Sequence, residues 1–261
     1  MWNISELLNK LNIDLTRLHD LLVYDPHAPM IFSSGIFLWL FAAFILFYLL
    51  LQRRTTARLM FVTLFSYYFY YKSSGAYFFL LAIVTVSDFF IALLMARATV
   101  QWQRKMWVAA SLAINLGLLC YFKYTNFLCD FFASLTGGTF TAMDIFLPVG
   151  ISFYTFQALG YTIDVYRGNT CAEKNFFQYA LFVSFFPQLV AGPIERSSHL
   201  LQQLATPHKF NSDEAKSGLL LMLWGFFLKI VLADRIAIFV DWVYGDYHTF
   251  GGWYPVSYTH L

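Results

Sequence analysis

Long apolar segments separated by short basic loops dominate the first half of the chain. Four of them predict membrane-spanning helices over residues 30–51, 59–71, 77–96 and 107–121. About 20 apolar residues cross the hydrocarbon core of a bilayer, so the first and third segments are long enough without further additions. The loops 52–58 and 97–105 carry the arginines and lysines between these segments, and the positive-inside rule predicts that both loops are cytoplasmic.

A different pattern precedes the first apolar segment. Within residues 1–22, leucines and isoleucines recur at steps of three and four, which predicts an amphipathic helix. Its polar face has no excess of basic residues, so we expect the helix to lie at the membrane interface or against the bundle. Residues 1–29 are therefore interpreted as an interfacial helix with a proline-containing hinge, on the non-cytoplasmic side of the membrane.

Composition agrees with a membrane protein and excludes several other classes. The chain has 261 residues, of which 59% are hydrophobic and 12% charged, whereas soluble domains are about 45–50% apolar and about 25% charged. The predicted fold is all-α: a polytopic transmembrane helical bundle with short, broken or re-entrant helices. We expect the lipid bilayer as a partner and no nucleic acid. The three cysteines are irregularly spaced and indicate neither a disulfide framework nor a metal site.

Polar residues reappear in an unexpected place, within the apolar segment 147–168. Five of them recur at steps of three and four, which places them on one helical face: Gly150, Tyr154, Gln157, Tyr161 and Asp164. Polar groups at this depth are expensive when they face lipid. We therefore expect this face to line a cavity or to contact polar neighbours. Asp88, inside the third apolar segment, is expected to have a structural partner on a neighbouring helix, and the alternative is a place in a buried pathway.

The next apolar segment, residues 176–190, is interrupted by Pro187 and followed by Gly192 and Pro193. Proline inside a helical pattern breaks the helix, and irregular backbone at membrane depth must be covered by protein. This segment is predicted to be a broken or re-entrant helix. The candidates for lining a substrate path are Gln157, Tyr161, Asp164, Gln188, Glu195 and Arg196. The alternative for each is a structural role in holding irregular backbone.

The motifs at residues 147–168 and 186–194, supported by shorter segments at 30–34 and 225–234, resemble the membrane-bound O-acyltransferase family. The alginate O-acetylase branch is the most similar. Residues 30–255 are therefore interpreted as the N-terminal part of such a domain, whereas residues 256–261 do not resemble the family and are expected to be a non-native tail. The resemblance implies a multi-helix enzyme that transfers an acyl group, usually acetyl, to hydroxyls of an exported polysaccharide.

The resemblance also implies a catalytic histidine, set in a tryptophan-histidine motif within a membrane tunnel, which would take the proton of the attacking hydroxyl. The chain has six histidines, at positions 19, 27, 199, 208, 248 and 260. None lies in an apolar helix or in that motif. We therefore expect no catalytic residue within this chain, which is interpreted as an inactive N-terminal fragment of a longer acyltransferase.

The resemblance further implies an acyl donor as co-substrate, either acetyl-CoA or a carrier-linked acyl group, with no bound cofactor or metal. The partners are a polysaccharide acceptor and an accessory acyl-transfer protein. Two alternatives stay open. One is transfer of D-alanyl or another acyl group to a cell-wall polymer within the same family. The other is a polytopic transporter, because discontinuous helices and intramembrane carboxylates occur there too.

Overall fold

The computed structural model describes residues 22–27, 29–190, 192–206 and 210–245. These residues form helices, turns and irregular segments without a β-strand, which confirms the all-α prediction for this part of the chain. Most of the predicted N-terminal amphipathic helix, residues 1–21, and the expected tail 256–261 lie outside the described residues. The chain divides into two compact units, Met1–His208 and Lys209–Leu261.

The described helices of the first unit come in a simple order. They are α1 (Gly35–Leu50), α2 (Thr55–Ser74), α3 (Phe78–Arg97), α4 (Gln101–Leu119), α5 (Thr125–Thr136), α6 (Ile151–Arg167), α7 (Phe176–Ser184), α8 (Phe186–Leu189) and α9 (Ser197–Ala205). A 3-10 turn, Gly75–Tyr77, joins α2 to α3, and a π-helical turn, Cys120–Tyr124, joins α4 to α5. The helical runs Thr55–Arg97 and Gln101–Thr136 are each long and apolar enough to cross a membrane.

The helical run that starts at α4 is longer than the sequence pattern indicates. The fourth apolar segment is predicted to end at residue 121, just before Lys123, yet the helix continues through the π-helical turn to Thr136. The hydroxyl of Thr125 donates to the carbonyl oxygen of Tyr121 at 2.7 Å, so this backbone oxygen in the π-helical turn has a hydrogen-bond donor. Lys123 is exposed, so its charge does not need to end the helix. Gly137, with a φ of 70°, ends it instead.

The centre of the first unit lies around α3, which packs against α4, α6 and α7, while α2 packs against α7. Two aliphatic residues of α3, Leu81 and Val84, are completely buried there beside Tyr179 of α7. A second buried group, the aromatic cluster, joins α1 and α2 to the start of α8. Its members are Phe37, Phe41, Phe44, Phe65, Phe69 and Phe186.

The described part of the second unit is one helical run. It consists of α10 (Ser212–Phe226), a π-helical turn (Phe227–Ala233) and α11 (Asp234–Gly245). Asn211 caps α10, because its side-chain oxygen accepts from the backbone N–H of Asp213 at 3.0 Å and its amide donates to Glu214 at 3.1 Å. Lys229 pairs with Asp234 across the π-helical turn. These two charges interrupt the apolar pattern but not the helix.

Candidate functional site

The polar face of α6 lies against protein. Tyr154, Gln157 and Tyr161 are all buried. The side-chain amide of Gln157 donates to the carbonyl oxygen of Phe182 at 2.6 Å, and the hydroxyl of Tyr161 accepts from the backbone N–H of Glu173 at 2.8 Å. These bonds tie α6 to α7 and to the segment before it. The polar face of α6 therefore contacts polar groups of neighbouring segments, as the spacing of its polar residues predicts. Its role in a substrate path stays a prediction.

Asp164 lies at the last turn of the same helix and is half-buried. One of its carboxylate oxygens accepts from the hydroxyl of Ser197 at 3.0 Å, and the other accepts from the amide of Asn169 at 3.4 Å. Gly168, with a φ of 80°, lets the chain turn at the helix end. Asp164 thus connects the end of α6 to the start of α9.

A second carboxylate, Asp88 of α3, is fully buried at 0% exposure. Ser111 donates to one of its oxygens, and the amide of Asn115 donates to the other at 2.6 Å. Both partners belong to α4, so the expected structural partner on a neighbouring helix is confirmed. Ser111 and Asn115 are not among the residues predicted from the sequence. Their spacing is a usable signal, because two polar residues four apart in an apolar helix lie on one face.

Several buried hydroxyls near these groups form no hydrogen bond of good geometry among the described residues, although Tyr70 lies within reach of Tyr154 and Thr162 within reach of Asp88. They belong to Tyr70 of α2, to Tyr154, Thr155 and Thr162 of α6, and to Tyr179 of α7. We call these five residues, together with Asp88, Ser111 and Asn115, the polar interior. Buried polar atoms are nearly always hydrogen-bonded, so unpaired hydroxyls in one region require a reason. Hydroxyls both donate and accept, and this region can therefore bind carbonyl or hydroxyl groups.

The break between α7 and α8 brings the two long motifs together. The helix stops at Phe185, two residues before Pro187, which then occupies the first turn of α8, where proline is tolerated. The predicted broken helix is confirmed. Gly150, at the start of α6, lies so close to α8 that a Cβ atom on it would be 2.2 Å from the carbonyl oxygen of Leu189. We call this contact the α6–α8 junction.

The remaining candidates lie around this junction or at the surface. The side-chain oxygen of Gln188 is buried without a hydrogen-bond partner among the described residues. Glu195 is half-buried, with a carboxylate oxygen 3.7 Å from the ring nitrogen Nδ1 of His199, and Arg196 is exposed. The two described histidines, His27 and His199, are exposed as well. Within the described ranges, no three His, Cys, Asp or Glu side chains group in a way that could hold a metal ion.

Replacing Asp88 with alanine is expected to lower the free energy of unfolding by about 1–3 kcal/mol, because the buried donors of Ser111 and Asn115 lose their acceptor. Reversible denaturation of the purified chain, followed by tryptophan fluorescence, measures the change. The matched control is Asp130→Ala, which removes an exposed carboxylate from α5 and should alter stability by less than about 0.5 kcal/mol. Equal stability of the two variants would show that the network is not structural.

Known proteins resemble the chain over part of their length. The probable alginate O-acetylase AlgI of Pseudomonas aeruginosa is 37% identical over 164 residues, which cover 60% of this chain and 31% of that protein. A protein of the same description from Azotobacter vinelandii is 37% identical over 164 residues, covering 60% of this chain and 32% of the relative. A peptidoglycan O-acetyltransferase of Helicobacter pylori is 31% identical over 182 residues, covering 60% of this chain and 34% of that protein.

The chain thus spans about a third of the length of the curated relatives it matches. No family model matches it, and no solved structure matches it. The resemblance that the motifs indicated is confirmed by these relatives: the chain is similar in sequence to the bacterial alginate O-acetylases.

Proposed function

We propose that this chain is part of a membrane-embedded O-acyltransferase that moves an acetyl group to hydroxyls of an exported, alginate-like polysaccharide. The observation that supports this most strongly is the 37% identity over 164 residues to alginate O-acetylases. The polar interior agrees with it, because buried hydroxyls can bind the carbonyl of an acyl group and the hydroxyls of a sugar. The six path candidates, Gln157, Tyr161, Asp164, Gln188, Glu195 and Arg196, are proposed to line the route of these substrates.

The proposed reaction needs a base that the described residues do not supply. An acceptor hydroxyl attacks the acyl carbonyl carbon, a new ester bond forms, and the bond from that carbon to the donor's leaving group breaks. The hydroxyl proton must pass to a base, for which an imidazole is well suited near neutral pH. His27 and His199 are exposed. We therefore propose that the base is a histidine in the part of the relatives' length that this chain does not cover.

The proposed function also includes an acyl donor, an accessory protein and an orientation in the membrane. The acyl donor is acetyl-CoA or a carrier-linked acyl group, and an accessory acyl-transfer protein assists the transfer. The protein crosses the cell membrane several times, with the arginine-rich loops 52–58 and 97–105 on the cytoplasmic side and the N-terminal helix on the other side. The two helical runs that are long and apolar enough to span support the membrane location, and the proposed orientation rests on the positive-inside rule.

Deleting the gene is expected to abolish O-acetylation of the exported polysaccharide, measured as acetate released by mild alkali. The full-length gene should restore acetylation, whereas a gene for residues 1–261 alone should not. Full-length His199→Ala should also restore it, because His199 is exposed and is not the proposed base, whose loss would cost about 100- to 10,000-fold in rate. Unchanged acetylation of both the exported polysaccharide and the peptidoglycan after deletion would favour the transporter. Turnover by residues 1–261 would contradict the proposed position of the base.

A second acceptor is favoured by the relative from Helicobacter pylori, which is described as a peptidoglycan O-acetyltransferase. In that case the acyl group would go to a cell-wall polymer. The same deletion strain distinguishes the two, because acetate can be measured separately in purified exported polysaccharide and in purified peptidoglycan. The fraction that loses acetate identifies the acceptor.

A further inference from the structure

A groove of about 340 Å³ lies in the first unit, away from the polar interior. Parts of α1, α2, α7, α8 and α9 line it, and nearly all of the lining side chains are aromatic or aliphatic. None of the six path candidates belongs to the lining. The function proposed above therefore leaves the groove without a role.

One cation interrupts the apolar lining. Arg58, in the first turn of α2, is only 4% exposed. Its Nη2 donates to the carbonyl oxygen of Thr206 at 3.2 Å, and its guanidinium lies 5.9 Å from the ring centre of Tyr48. The other terminal nitrogen, Nη1, is buried and has no hydrogen-bond partner among the described residues. No carboxylate within the described ranges forms an ion pair with Arg58.

A buried guanidinium without a counter-charge is unfavourable, because burial removes its hydration. The carbonyl oxygen of Thr206 and the ring of Tyr48 replace only part of that hydration. The nearby loop cannot supply that charge. Residues 52–58 contain Arg53 and Arg54, both exposed, and no acidic residue. The local charge is therefore positive, and Nη1 is available to a negatively charged ligand that enters the groove.

The groove is polar at one end and apolar at the other. Tyr48 and Arg58 flank the short connection between α1 and α2. From there, Phe44 and Phe41 follow one and two turns back along α1, and Val62 follows one turn along α2. The polar end of the groove therefore lies beside the connection between α1 and α2, and the apolar end lies farther along both helices. An amphiphile with its headgroup at the membrane surface and its acyl chain pointing inward would match this order.

We propose that the groove binds an anionic phospholipid. Its phosphate accepts hydrogen bonds from Nη1 of Arg58, since a guanidinium matches the geometry of phosphate oxygens. Part of one acyl chain packs against Phe41, Phe44 and Leu181. The exposed Arg53 and Arg54 add positive charge around the headgroup. A zwitterionic lipid presents the same phosphate together with a cationic group, which this basic surface disfavours. The proposal does not depend on the acyltransferase function.

The test is lipid retention by the purified 261-residue chain. The chain is incubated in mixed micelles with equal amounts of phosphatidylglycerol and phosphatidylcholine, and retained lipids are counted by native mass spectrometry. Phosphatidylglycerol is expected to be retained more than phosphatidylcholine, because both present a phosphate to Arg58 but only phosphatidylcholine adds a cationic group that the basic loop repels. Arg58→Gln should lower the retention of phosphatidylglycerol about tenfold, as the loss of one charge-assisted hydrogen bond would give. The matched control Arg53→Gln, which removes one exposed charge from the same loop, should lower that retention much less.

Two further variants and one competitor complete the experiment. Arg58→Lys keeps the charge and should preserve part of the retention of phosphatidylglycerol, so it replaces Arg58→Gln if that variant does not fold. Leu204→Trp fills the groove from its rim and should reduce retention of both lipids. Inorganic phosphate at millimolar concentration should not displace the lipid, because it lacks the acyl chain. Equal retention of both lipids by the unaltered chain, unchanged retention of phosphatidylglycerol in both Arg58 variants, or displacement by inorganic phosphate would each overturn the proposal.

Discussion

Replacing Gly150 with alanine is expected to lower the free energy of unfolding by about 3–5 kcal/mol. Two effects add at this position. The φ of Gly150 is 74°, in the left-handed region that side chains disfavour. A Cβ atom would also lie 2.2 Å from the carbonyl oxygen of Leu189, so the backbone of α8 would have to move. The α6–α8 junction should therefore open, which denaturation of the purified chain would detect.

Gly160→Ala is the matched control, since it makes the same substitution in the same helix. Gly160 lies in the interior of α6, and a Cβ atom on it would meet no other atom within 4 Å. Alanine is the better helix former, so this variant should be about 0.5–1 kcal/mol more stable than the parent. If both variants unfolded at the same denaturant concentration, the close approach at the junction would be refuted.

The second large effect is expected for Phe186→Ala, which should cost about 3–5 kcal/mol. Phe186 is 3% exposed and is the residue through which α8 enters the aromatic cluster. Its ring centre lies 5.1 Å from that of Phe65 and 5.4 Å from that of Phe44. Removing the ring leaves a cavity between α1, α2 and α8, and the van der Waals contacts across it are lost.

Phe127→Ala is the matched control for this prediction. Phe127 lies on α5 and is 66% exposed, so the same truncation leaves no cavity there. Its effect on the free energy of unfolding should be smaller than about 0.5 kcal/mol. Thermal unfolding in a single detergent compares the two variants directly. A loss of similar size at both positions would mean that the aromatic cluster does not stabilise the chain.

Local pattern was enough to predict several features. The three-and-four spacing of Tyr154, Gln157 and Tyr161 indicated one polar helical face, and the structure buries that face. Pro187 indicated a broken helix, because a ring without an N–H disrupts the helix before it. Both features depend on a few neighbouring residues. The substrate-path role of the six candidates stays a prediction.

Other features could not be predicted because they depend on contacts between residues far apart in the chain. Arg58 is one of three arginines in a basic loop, and nothing local distinguishes it from Arg53. The carbonyl oxygen of Thr206 and the ring of Tyr48 hold its guanidinium in place. Ser111 and Asn115 likewise gain a role only because α4 packs beside Asp88.

The helical class, the polar face of α6 and the break before Pro187 therefore follow from the amino-acid sequence, as does the likeness to alginate O-acetylases. Periodicity and backbone chemistry are local, so they can be read without knowing the fold. The tertiary structure alone decided that Gly150 meets Leu189, that Phe186 fills the aromatic cluster and that Arg58 is buried in an apolar groove. Each of these depends on packing between distant segments, which no short stretch of sequence specifies.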